Sequence, residues 1–141
     1  MINIKIVNKS GLSLPSAKTD GAACVDICII DGCDLKPGET KIFKTGLFVE
    51  IPKGWALAIV ARSSLHKCGL ILANGFGIID SDYRGEIGVP LHNMTDRDVH
   101  IEPGFRPVQA FVYPINTISW IPVDSLSSSA RGDGGFGSTG F

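Results

Sequence analysis

The chain has 141 residues, enough for one domain that buries about two-thirds of the surface its unfolded form exposes. A formal net charge of −1 at pH 7 argues against broad electrostatic binding to nucleic acid or to an anionic membrane. No apolar run approaches the roughly 18 residues of a membrane span, and the N-terminal stretch lacks the basic start and apolar core of a signal peptide. The expected location is the cytoplasm, or a host's cytoplasm if the protein is virus-encoded.

Seventeen glycines and eight prolines punctuate the sequence too often for long helices. Ile2, Ile4 and Ile6 alternate with Asn3, Lys5 and Val7, the period of a first strand. A polar connection follows from Ser10 to Gly21, then a β-rich run from Cys24 to Ile30 and a turn at Asp31-Gly32. Residues 36–39 form a second turn before an apolar strand from Thr40 to Ile51. Pro52-Lys53-Gly54 leads into Trp55 to Arg62, which helix propensity alone could claim. Its short length between Gly54 and the polar Ser63-Ser64 predicts a buried strand instead. A β-hairpin is predicted around Gly75 to Glu86, its second strand running from Glu86 to His92. Further strands are expected at Arg97 to Ile101 and Val108 to Pro114. Turns recurring every 10 to 15 residues or so mark an all-β sandwich or barrel. From Asp124 onward Ser, Gly, Asp and Thr dominate. The four cysteines, at 24, 28, 33 and 68, show no Cys-x-x-Cys spacing and read as reduced thiols.

Four stretches carry chemically useful groups. Between Gly75 and Glu86 an apolar run ends in Asp80 and Asp82, followed by Tyr83, Arg84 and Gly85. Arg62, Ser63 and Ser64 place a cation and two hydroxyls just after a strand, suited to an anion. The tail from Arg131 to Thr139 nearly matches a P-loop. Ser138 stands where the lysine must be, however, and no room remains for the following helix. What remains is a Gly-rich strand in which Phe136 could fold over a planar base, as in a lid that orders on ligand binding. Asp26 sits in an apolar run, so it is expected at a strand end or with a partner, because an unpaired buried carboxylate is costly. Asn74 reads as a turn residue, and Gln109 as a polar position facing solvent or a ligand. His66, His92 and His100 share no metal-ligand spacing.

In this order and spacing the stretches resemble the five motifs of the trimeric dUTP pyrophosphatases (dUTPases). The motifs correspond to Ala22–Ile27, Arg62–Leu65, Asn74–Gly85, Gly104–Gln109 and Arg131–Gly140. Departures are Ala23, Cys24 and Val25 before Asp26, Phe105 in an acidic position, Pro107 where an isoleucine is usual, and Asp133 for a glutamate. The resemblance implies a single-domain distorted β-barrel, jelly-roll-like, over residues 1–124. A flexible C-terminal arm, residues 125–141, would close over the active site. It also implies a homotrimer whose active sites are shared between subunits, with no nucleic acid or membrane partner. The implied reaction is magnesium-dependent hydrolysis of dUTP to dUMP and diphosphate, keeping uracil out of DNA and supplying dUMP for dTMP synthesis.

The roles follow residue by residue as expectations. Asp80 would activate the attacking water. Tyr83 would pack under the deoxyribose and leave no space for a 2′-hydroxyl. Asn74, with the backbone of Gly77, Ile78, Ile79 and Gly88, would read the polar edge of uracil; cytosine would present the wrong donor and thymine a clashing methyl. Arg62, Ser63, Ser64 and Gln109 would bind phosphates, joined from the arm by Arg131, Gly137, Ser138 and Thr139, with Phe136 stacked on the base. Asp26 would contact Mg2+ through water. The alternatives are a dCTP deaminase of the same fold and a catalytically silent regulatory protein. Pro90 near the deaminase's glutamate position disfavours the first, and retention of Asp80, Tyr83 and the arm disfavours the second.

Overall fold

A computed structural model describes residues 2–135 and residue 138. Ten strands account for most of the regular structure: β1 Lys5–Asn8, β2 Val25–Ile27, β3 Cys33–Leu35, β4 Thr40–Glu50, β5 Trp55–Ala61, β6 Leu70–Leu72, β7 Phe76–Ile79, β8 Glu86–Asn93, β9 Val99–Ile101 and β10 Val108–Pro114. A 3-10 turn at Leu65–Cys68 is the helical element among the described residues. The antiparallel strands form sheets of order β1-β4-β8-β6 and β2-β10-β5-β7, with β3 and β9 as a separate pair. The all-β, single-domain expectation holds, and residues 55–61 are a strand.

The core lies between the two large sheets. Phe43, Leu47, Val89 and Leu91 from one sheet and Ile27, Leu57, Ile59 and Val108 from the other belong to one buried cluster. Strand alternation explains the selection: Val89 and Leu91 face inward while Gly88, Pro90 and His92 do not. β5 is buried on both faces. Its Leu57 and Ile59 enter the core, and the alternating Ala56 and Ala58 are covered from outside. A bulge in β4 between Lys44 and Phe48 needs Gly46, whose φ is +67°. A Cβ there would come within 2.6 Å of the Ser10 backbone, which passes directly over it. The buried Asn93 uses its whole amide. Its nitrogen donates to the carbonyls of Leu35 and Arg97, and its oxygen accepts from the backbone and hydroxyl of Thr95.

Three sequence expectations need amendment. The first strand begins at Lys5 rather than Ile2, and its residues are exposed. The short strands β3 and β6 were not anticipated. The predicted hairpin of residues 75–91 is not a paired hairpin. β7 bonds to β5, whereas β8 bonds to β4 and β6, so the two strands enter different sheets. The connection 80–85 is too long for the two-residue turn that would hold them in register, and β5 offers β7 a complete antiparallel partner.

Candidate active site

The splayed strands leave a slot. β6 covers β8 only from Leu91 to Asn93, with the Ala73 N–H donating to the Pro90 carbonyl just beyond. Glu86 to Val89 thus have backbone pairing on the β4 side only, and β7 is the edge strand of its own sheet. Main-chain groups on the facing edges of both strands therefore have no strand partner among the described residues. Asn74 and Gly75 turn the chain into β7, with the Gly75 N–H on the Leu72 carbonyl. The Asn74 side-chain nitrogen lies 3.4 Å from where a Gly77 Cβ would stand, so the missing side chain lets the amide lie over the strand. Gly77 is buried, Ile78 exposed and Ile79 half-buried. Gly88 belongs to the other sheet, facing outward beside Ile42.

Asp80 stands where β7 ends. Its carboxylate is exposed and has no hydrogen bond or ion pair among the described residues. It lines a cavity of about 810 Å³ with Trp55, Lys53, Asp82 and Arg84. The loop behind it is held firmly. Arg84 donates to the carbonyls of Ser81 and Tyr83 at 2.7 and 2.9 Å, and the Tyr83 hydroxyl donates to the Glu86 carbonyl at 3.0 Å. The Tyr83 ring lies across Gly85, where any Cβ would overlap the hydroxyl and the ring. Gly85 is thus a condition for the position of Tyr83.

A second group gathers at the opposite end of β5. Asp26, Gln109, Val60 and Phe76 form one row across β2, β10, β5 and β7. Arg62 follows β5, and its Nε meets Asp26 Oδ1 at 3.0 Å. Its Nη1 donates to the Arg106 carbonyl at 2.9 Å, and its backbone N–H donates to the Pro107 carbonyl at 3.0 Å. Arg106 Nη1 approaches Asp26 Oδ2 at 3.5 Å. Asp26 is therefore partnered, as an apolar run requires. Arg62 retains three N–H donors for an anion, two on Nη2 and one on Nη1. Asp26, Arg62, Ser63 and Gln109 line a cavity of about 420 Å³ with Lys18 and Cys24. Ser64 takes the cap position of the 3-10 turn, but its hydroxyl makes no capping bond.

The fourth motif's two unusual residues are structural. Pro107 is fully buried, and Phe105 packs against the core while its carbonyl accepts from Ile29. Both serve to press the 104–107 segment against Arg62. Sequence reasoning assigned no role to Arg106 or Lys18. Arg106 had a motif position as its signal, whereas Lys18 sits in a polar loop with no periodicity to mark it.

The remaining expected residues lie on the arm. Arg131 Nε donates to the nearby Gly134 carbonyl at 2.8 Å, and the Ser138 N–H donates to the Gly135 carbonyl. Phe136, Gly137 and Thr139 fall outside the described residues. Before the arm, Ile118, Trp120 and Ile121 are each at least 71% exposed, apolar side chains that the chain's own core leaves uncovered. The thiols of Cys24, Cys28, Cys33 and Cys68 are all free.

Comparison with known proteins bears on this arrangement. The model of the dUTPase family matches residues 11–140, nearly the whole chain. The chain belongs to the dUTPase family. Among its relatives, the deoxyuridine 5'-triphosphate nucleotidohydrolase of Finegoldia magna is 38% identical, covering 99% of this chain and 100% of the relative. That of Desulfotalea psychrophila is 41% identical over 92% of this chain and 88% of the relative. A mutant dUTPase of Staphylococcus bacteriophage 80alpha, solved with dUpNHpp, superposes with a TM-score of 0.87 at 25% identity, covering 100% of this chain and 99% of that one. No helix among the described residues is long and apolar enough to cross a membrane.

Proposed function

We propose that this dUTPase-family protein hydrolyses dUTP to dUMP and diphosphate, at active sites each built from more than one subunit of a homotrimer. The observation that carries the reading is the division of the site residues between the two ends of β5. Ile79 pairs with Leu57, so Asp80 lies beside Ala56, six residues before Arg62. At about 3.3 Å per residue the two ends are roughly 20 Å apart. The two cavities share no lining residue. One small nucleotide cannot occupy both in the same subunit, but a head-to-tail ring brings one end of a copy against the other end of the next. Between the two ends the outer face carries packed rings, with Phe76, Phe111 and Tyr113 centroids 6.1 to 6.5 Å apart. Such a strip suits burial between copies. The exposed apolar segment around Trp120 has the composition to cross to a neighbour, carrying the arm of residues 125–141 toward that neighbour's site.

Each residue then has a task within reach of its position. The slot between β7 and β8 receives the uracil, whose polar edge meets Asn74 and unpaired main chain. Tyr83, pinned by Gly85 and Glu86, supplies the wall against which the sugar packs. Asp80, with no partner among the described residues, accepts the proton of the attacking water. Arg62, Ser63, Ser64 and Gln109 of the adjacent copy hold phosphate oxygens, and the arm covers the site with Arg131, Phe136, Gly137, Ser138 and Thr139.

The chain fits a magnesium ion carried by the substrate rather than by a protein cage. Among the described residues no cluster of three or more His, Cys, Asp or Glu side chains could hold a metal, and Asp26 offers one carboxylate at the phosphate cavity. That is the donor set of an ion that keeps its waters and takes phosphate oxygens. When bound, it would neutralise triphosphate charge. The reaction would run in the cytoplasm, or in a host's. The test is diphosphate release from dUTP, dCTP, dTTP and UTP with magnesium, with ammonia followed in parallel. Release from dUTP alone is expected; ammonia from dCTP, or no turnover of dUTP, would overturn the reading.

A further inference from the structure

Two cavities flank Asp26, and Lys18 lines both of them. One is the cavity of Arg62, Ser63 and Gln109. The other, of about 340 Å³, is walled by Arg106, Ser13 and Ser16 among others. The charged groups lining the pair are Lys18, Arg62 and Arg106 against the single carboxylate of Asp26. This corner of a chain with net charge −1 therefore carries an excess of two positive charges. Such an excess in a concave site focuses the field on an anion.

The cations are not equally committed. Arg62 spends Nε and one Nη1 hydrogen on its own support. Arg106 has only the 3.5 Å approach to Asp26, and the Lys18 ammonium has no partner among the described residues. An unpaired ammonium on a flexible stem, beside a guanidinium with spare donors, suits a phosphate taken as a point charge plus hydrogen bonds. We propose that Lys18 and Arg106 form a second anion subsite, adjoining the Arg62 cavity, which takes the distal phosphates of a nucleoside triphosphate. The inference rests on the nucleotide reading above and adds two binding residues to it. The phosphate chain passes Asp26, with Arg62 on one side and Lys18 and Arg106 on the other. A monophosphate is too short to use the second subsite, and the diphosphate product occupies it.

The experiment is calorimetric titration of the full chain, wild type and Lys18→Met, with dUMP and with α,β-imido-dUTP. Lys18 is exposed and its side chain makes no bond among the described residues, so its replacement leaves the fold intact. The variant is expected to lose about tenfold in affinity for the triphosphate analogue, the scale of one charge-assisted hydrogen bond. Its affinity for dUMP should not change. Lys18→Arg should restore most of the loss, and inhibition by diphosphate should weaken in step with the methionine variant. Equal losses for dUMP and the analogue, or no loss for either, would overturn the subsite. A wild-type protein that binds neither nucleotide would instead overturn the nucleotide reading itself, and the subsite with it.

Discussion

Replacing Asp80 with asparagine removes one negative charge and almost nothing that the fold uses. The side chain is exposed and makes no hydrogen bond or ion pair among the described residues, while the loop's anchors come from Arg84, Tyr83 and the Asp80 carbonyl, which accepts from the Tyr83 N–H. The substitution retains that backbone carbonyl and nearly the same side-chain volume. Its cost to stability should lie within the roughly 0.5 kcal/mol of an ordinary surface change. The amide cannot accept a proton from water, so the general-base contribution is lost, about 10² to 10⁴-fold in rate. The assay is single-turnover and steady-state diphosphate release from dUTP, with thermal melting and dUMP affinity measured on the same preparation. Expected are a kcat reduced by at least a hundredfold, an unchanged melting midpoint and a dUMP affinity within about threefold of wild type. A kcat within tenfold of wild type would refute the assignment of the base. A melting point that fell with kcat would show that Asp80 also has a structural partner.

Asp26→Asn should behave differently, because both carboxylate oxygens face guanidinium groups and the side chain is only 15% exposed. Two cations would lose their counter-charge, at a cost of about 1 to 3 kcal/mol in denaturant unfolding together with a raised KM for dUTP; unchanged stability would mean the pair is solvated away. Gly85→Ala should displace Tyr83 from its seat and reduce the preference for dUTP over UTP in kcat/KM by about tenfold or more; an unaltered preference would remove Tyr83 from sugar selection. His100 lies between Asp34 Oδ1 at 2.5 Å and Glu102 Oε1 at 2.9 Å, and these hydrogen bonds, that to Asp34 foremost, raise its pKa above the ordinary 6.5. The folded state binds this proton more tightly than the unfolded chain. Its stabilising effect is therefore complete below about pH 6.5 and is lost as pH rises through the folded pKa. NMR titration should show an elevated His100 midpoint that falls in Asp34→Asn; a midpoint at the ordinary value in wild type would contradict the geometry.

The strands visible beforehand were those with a complete pattern. Thr40 to Glu50 is rich in Ile, Phe and Val, Val108 to Pro114 is apolar but for Gln109, and Trp55 to Ala61 is bounded by turn residues. β3 and β6, three residues each, lie beside turn residues without a longer apolar run to mark them, and exist because β9 and β8 present partners to them. The hairpin expectation failed for a related reason. Local sequence shows that Phe76 to Ile79 and Glu86 to Asn93 are extended, but pairing depends on which other edges are free, and β5 competes successfully for β7. The resulting gap is the candidate base slot, a feature that no local propensity encodes.

The chain's own residues determined the all-β class, the positions of the turns and the presence of five motifs, because each depends on side-chain type within a few residues of its neighbours. The motifs also sufficed to single out Asp26, Arg62, Asp80 and Tyr83. Tertiary structure alone decided what those groups face. It set Asp26 between Arg62 and Arg106, left Asp80 without a partner among the described residues and folded Tyr83 over Gly85. It also placed Lys18, from a loop without pattern, in the lining of the cavity that holds Asp26, Arg62 and Gln109. The separation of the two groups by the length of β5 was equally invisible, since distance across a sheet follows from register and strand order. Contacts between residues far apart in the chain carry the chemistry, and only the packed sheets specify them.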